Sequence, residues 1–212
     1  MNCTTYLFGN FGSGFTQYPF DSTNDIFVKC YSLARHSQQM FVLRRSRQMF
    51  YVFIKHLDSS KKYIGIGVVF SDMMLTSFDN VYKMFEDAVR VLAVEGEILD
   101  YSGELIVPKS NTLENKSVEV KNLDNFVSSR LSSFSSIVKP LPPIKFSIAI
   151  DSCKECVLTD NIEKILSYTQ SYGITVICKD DEEELEIEGI MGKCPSLKRD
   201  SFINRIFNWL KL

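Results

Sequence analysis

Histidine and tryptophan are nearly missing from this chain: its 212 residues hold two His and one Trp. With only His36 and His56, an imidazole-based metal site or a nucleophile–histidine pair has little to be built from. Long apolar runs are missing as well. A bilayer span needs roughly 20 residues, whereas the longest run here is of the length of Met49–Ile54. The start, Met1-Asn2-Cys3-Thr4-Thr5, has no basic segment followed by an apolar one. No export signal is therefore expected, and a cytoplasmic location with reduced thiols is the default for the six cysteines. Nor is there an excess of positive charge. With 24 Lys and Arg against 26 Asp and Glu, the net charge of −2 speaks against a nucleic-acid partner. What is present in quantity is apolar residue, 45% of the chain, enough to fill a core and to exclude a disordered chain.

The small net charge hides segregation. Residues 1–62 carry eight Lys or Arg against three Asp. The run Asp180–Glu188 holds seven acids and no base, and residues 192–212 return to five bases against one acid. Blocks of this kind separate surfaces. The plain reading is solvated faces and an acidic loop. The sharper one is that the acidic run screens one of the basic regions until a partner competes.

The pattern along the chain predicts an α+β fold. Thr4–Phe8 reads as a strand, broken by the glycine-rich Gly9–Gly14. Asp21-Ser22-Thr23 is a cluster of helix-starting residues, followed by Ile26, Phe27, Cys30, Tyr31 and Ala34 at helical spacing as far as Arg35. Three meandering strands follow. Gln39–Leu43 comes first, then Gln48–His56, whose unbroken apolar run suits a central strand covered on both faces. Tyr63–Phe70 is third, with Ile64, Ile66, Val68 and Phe70 on one face. A helix over Phe78–Glu95 buries Val81, Met84, Phe85, Ala88, Val89 and Leu92. A hairpin pairs Ile98–Tyr101 with Glu104–Val107, and a long polar helix runs over Leu113–Val138. Together these predict a core over 1–138, a central antiparallel meander flanked by helices. A proline-rich linker follows at 139–143. Beyond it come a β-α-β extension over 144–179 (strands Ile144–Ile150 and Ile174–Cys178 around a helix Asn161–Tyr172), an acidic-then-basic loop at 180–200, and a terminal helix at 201–212.

This order of elements resembles the longin, roadblock and PAS-type modules over about residues 4–138, which implies a sensor or an interaction platform. The phrases Phe15-Thr16-Gln17-Tyr18-Pro19-Phe20-Asp21, Met49–Lys55 and Tyr63–Gly67 resemble an N-terminal module of Bacteroides-type bacterial proteins. That resemblance implies a bacterial origin.

The motifs leave few chemical options. Gly9, Gly12 and Gly14 follow a strand, but their spacing is reversed relative to a dinucleotide loop, so a turn is expected. Ser13 lacks the Gly-x-Ser-x-Gly elbow. Cys153, Cys156, Cys178 and Cys194 supply four thiolates for a tetrahedral zinc, yet the second pair is widely spaced and Cys178 ends an apolar strand. No cofactor is expected. Gly65 and Gly67 on one face of a strand leave either room for a small ligand or a close approach of a helix. Arg44, Arg45 and Arg47 at a tight turn can meet phosphate, an acidic partner or nucleic acid, or simply keep the hairpin soluble; with no interleaved aromatics or larger basic stripe, nucleic acid is not expected.

In the terminal segment, Phe202, Ile203, Ile206, Phe207, Trp209 and Leu210 share one side of a helical wheel, opposite Asn204, Arg205, Asn208 and Lys211. Such a helix docks on protein or lies on a membrane surface. The reading that follows is a non-enzymatic protein-interaction, sensor or adaptor module, binding another protein or a second copy of itself. A membrane-associated effector, in bacterial defence for instance, is the alternative. A small-ligand sensor or enzyme with a site above Gly65/Gly67 is the third.

Overall fold

The apolar run Met49–Ile54 lies at the centre of the molecule. The structure is a computed structural model that describes residues 3–34, 38–57, 61–94, 98–102, 105–110, 113, 116–134, 137–143, 153–157, 166 and 173–177. The run belongs to β4 (Gln48–Leu57), fourth of seven strands in the main sheet. On one side of it stand β3 (Gln38–Arg45), β11 (Gly173–Ile177) and β10 (Cys153–Val157). On the other stand β5 (Lys62–Ser71), β1 (Cys3–Asn10) and β2 (Phe15–Tyr18). All neighbours are antiparallel except β10 and β11, which are parallel. The architecture is α+β, with the predicted meander β3-β4-β5 as its middle.

Both faces are covered. One row of cross-strand partners runs Ile177, Met40, Phe53, Ile66, Leu7. All five are buried under α2 (Phe78–Val94) and α3 (Ser117–Ser133). The predicted stripe of α2, Val81 through Leu92, is buried here, and so are Val120, Leu123, Val127 and Leu131 of α3. The opposite face carries Phe8, Phe41, Leu43, Phe50, Val52 and Ile54 against Ile26, Phe27, Cys30 and Leu33 of α1 (Asn24–Leu33). Fully burying one such side chain is worth about 1.5–3 kcal/mol, so two packed faces make the meander the energetic centre of the fold.

Several elements differ from the sequence reading. The stretch expected as a proline-rich linker begins with a strand, β9 (Val138–Pro140), paired with β6 (Met73–Leu75). Pro140 is tolerated because this two-stranded ribbon is all edge, so a missing N–H leaves no buried gap. Tyr51 anchors the ribbon: its buried hydroxyl accepts from Leu75 N at 2.7 Å and donates to Leu75 O at 3.1 Å. Helix α3 is shorter than its periodicity suggested. It stops in a serine-rich stretch where Ser132 and Ser133 hydroxyls bond back to Ser128 O and Arg130 O, a competition that weakens helix ends. The hairpin is present as β7 (Leu99–Ser102) and β8 (Leu105–Pro108). Of the extension, β10 and β11 continue the main sheet at the β3 edge. The expected strand 144–150 lies outside the described residues. So does the helix 161–172, apart from the buried, helical Leu166.

Candidate functional site

The glycines of β5 were the sequence's candidate for a ligand space. The structure fills that space with aromatic rings. A Cβ at Gly65 would lie 2.1 Å from the ring of Phe8, and one at Gly67 would lie 2.6 Å from the ring of Phe27. Those two rings stack at 4.5 Å with an interplanar angle of 11°. Phe27 belongs to α1, so the glycines let a helix side chain and a neighbouring strand's side chain settle on the sheet.

The basic turn is built from three distant segments. Arg44 and Arg45 end β3, Ser46 and Arg47 turn the chain, and Ser46 takes a left-handed φ of 53°. Asp72, just after β5, also takes a left-handed φ, 62°. Its N–H donates to Arg47 O at 2.8 Å, and its own carbonyl accepts from Leu141 N at 2.8 Å. Arg47 Nε bonds the Asp72 carboxylate. Arg44 Nε donates to Ser46 O at 3.2 Å, and its Nη2 donates to Pro142 O. Its Nη1 is out of reach of water and has no hydrogen-bond partner. Burial pulls the Arg44 pKa below its ordinary value. Arg45 differs: at 57% exposure, 4.0 Å from Asp25, it makes a surface pair of small energetic value. Arg44, Ser46, Arg47, Asp72, Leu141 and Pro142 line a cavity of about 410 Å³.

A second recess escaped the sequence reading. Strand β1 pairs with β5 along its whole length, but β2 covers only Leu7–Asn10. Beside the half that has no second strand partner among the described residues lies a groove of about 490 Å³ between Thr4, Thr5, Tyr18 and Pro19 on the sheet side and Val118 and Lys121 of α3. Val118 is 65% exposed, and Phe20, just past the Tyr18–Pro19 cis bond, is 77% exposed. The chain turns away here because Asp21 gathers it. Its Oδ1 accepts from Thr23 N at 2.8 Å and Thr23 Oγ1 at 2.6 Å, and its Oδ2 accepts from Tyr6 at 2.8 Å. Burial works to raise the Asp21 pKa, but the bonds from Thr23, Tyr6 and Gln17 outweigh it and hold it below the usual value. Burial, and then the bond to Asp21, push Tyr6 up to about 12.

The other candidate residues lie wholly or partly outside the described residues. Cys153 and Cys156 have their backbone in β10, while Cys178 and Cys194 lie outside the described residues. Among the described residues no three His, Cys, Asp or Glu converge as a metal site would require. The acidic run and Phe202, Ile203, Ile206, Phe207, Trp209 and Leu210 also lie outside them. Among the described residues no helix is long and apolar enough to cross a membrane.

No family model matches the chain, and no curated protein or solved structure matches it.

Proposed function

We propose that the chain is a non-enzymatic protein-interaction module, an adaptor or sensor domain of the longin-, roadblock- or PAS-like kind. The observation that carries this reading is the groove beside the half of β1 that β2 leaves uncovered. An unpaired strand edge offers backbone donors and acceptors that an extended segment of another protein can complete. Tyr18 and Val118 line it and supply apolar contacts, and the exposed Phe20 follows directly after Pro19 of its wall. Aromatic side chains exposed at a recess are the usual anchors of an interface. The meander with helices on both faces supports the longin- or PAS-like comparison, and the filled space over Gly65 and Gly67 favours surface contacts over an internal ligand there.

The test uses a partner recovered with the full chain from its native cells. Phe20 and Val118 are both exposed, so Phe20→Asp with Val118→Asp leaves the core untouched. The double variant is expected to weaken the recovered partner by about tenfold or more, as loss of an interface anchor does. Equal binding by a double variant of unchanged thermal stability would overturn the reading.

A further inference from the structure

The cavity at the β3–β4 turn shares no lining residue with the groove beside β1. Three observations single it out. Its lining includes two arginines and one carboxylate, and that carboxylate is already engaged by Arg47. Arg44 is held by two neutral carbonyl oxygens and no acid, with Nη1 buried and unpartnered. Nη1, closed to water, is closed to a phosphate oxygen too, but the Arg44 charge has no acidic partner, and an anion in the cavity would supply its counter-ion. Third, Ser46 and Asp72 are the only non-glycine residues with left-handed backbone among the described residues, and both line this cavity. Strained residues gather at ligand clamps.

We propose that this cavity binds a phosphomonoester: the phosphate between Arg44 and Arg47, its organic body against Leu141 and Pro142. Arg47, exposed and with only its Nε engaged by Asp72, keeps its terminal nitrogens for phosphate oxygens, and Arg44 adds its charge from the other side. The volume, about 410 Å³, exceeds what a bare phosphate fills and falls in the range of small-molecule sites. The apolar wall of Leu141 and Pro142 therefore takes an apolar or planar group.

The test follows the arginine Nε–Hε resonances of the full ¹⁵N-labelled chain during titration with phenyl phosphate, and separately with inorganic phosphate. Saturable shifts with a Kd near or below about 1 mM are expected for phenyl phosphate. Inorganic phosphate is expected to bind about fivefold more weakly, lacking the apolar contact. Arg44→Gln and Arg47→Gln should each weaken phenyl phosphate by about tenfold or more. Arg45→Gln, outside the lining, should change it by less than about threefold. Asp72→Asn keeps a residue that tolerates left-handed backbone and removes the competing charge, so it should tighten binding. A gain of affinity cannot come from misfolding. A second arm uses vesicles with and without a monoester-bearing phosphoinositide. Binding confined to the phosphoinositide vesicles and lost with Arg44→Gln upholds the same chemistry with a lipid source. Failure to saturate by about 10 mM phenyl phosphate together with failure on vesicles overturns the proposal. So does an equal loss in Arg45→Gln and Arg44→Gln, which would mean diffuse charge, or weakening by Asp72→Asn. Equal affinity for the two soluble probes overturns the assignment of the apolar wall.

Discussion

Phe8 and Gly65 show how one missing side chain places another. The ring of Phe8 lies where the Cβ of residue 65 would be, at 2.1 Å, with other ring atoms at 2.2 and 2.6 Å. A methyl there must push the whole ring, and Phe8 is fully buried and stacked on Phe27. Gly65→Ala is therefore expected to destabilise the fold by about 1–3 kcal/mol, the usual result of overpacking. Urea unfolding with a shifted midpoint and an unchanged slope is the check. A neutral result would mean that the face yields more easily than its packing implies. Alternation along β5 made the shared face of Gly65 and Gly67 readable from sequence. It left open what filled the space, because Phe8 arrives from a strand more than fifty residues earlier in the chain.

At the scale of elements, strength of periodicity separates what was legible from what was not. The run of β4, the alternation of β5 and the 3.6-residue stripe of α2 are each written in consecutive residues, and each is present in the structure. Strands β2, β6 and β9 are three or four residues long and pair at edges, so their partners, not their own patterns, make them strands. The groove was illegible for the same reason: its walls come from β1, from the stretch around Tyr18 and from α3. Arg44, Arg45 and Arg47 were visible as a basic turn, but only the fold distinguishes Arg44, bridged to Pro142, from the exposed Arg45. The entry to α1 gives the element-scale prediction. The folded pKa of Asp21 lies below its unfolded value. Its contribution is thus complete above the unfolded pKa and is lost as pH falls through the folded one. Asp21→Ala should cost about 1 kcal/mol at neutral pH, as other losses at helix starts do. It should also flatten the acid limb of a plot of stability against pH. An acid limb identical to that of the parent would show that Asp21 does not couple to folding.

For the whole molecule, charge and apolar surface are distributed rather than averaged. The terminal segment 201–212 carries six large apolar residues on one side of its helical wheel and sits among five of the chain's bases. Two apolar faces of the sheet are already filled by α1, α2 and α3. As a membrane contact, the segment should make the full chain float with vesicles containing anionic lipid, with release by salt. The chain ending at Asp200 should stay behind. As a protein contact, it should leave both chains in the soluble fraction. Salt-sensitive flotation of both chains alike would remove the tail from the membrane role.

The position of β1 also bears on how the protein is made. The first strand of the chain lies inside the sheet, and its register joins Cys3 to Phe70 and Asn10 to Tyr63. At about 5–20 residues per second, roughly 3–13 s of synthesis separate β1 from the strand that completes it. Meanwhile β1 has only β2 beside it, and a lone two-stranded hairpin is marginal in water. Tyr6, Leu7 and Phe8, all buried in the finished sheet, stay exposed on the ribosome until the meander arrives. The amino-terminal strand is thus a place where a nascent chain would hold a chaperone.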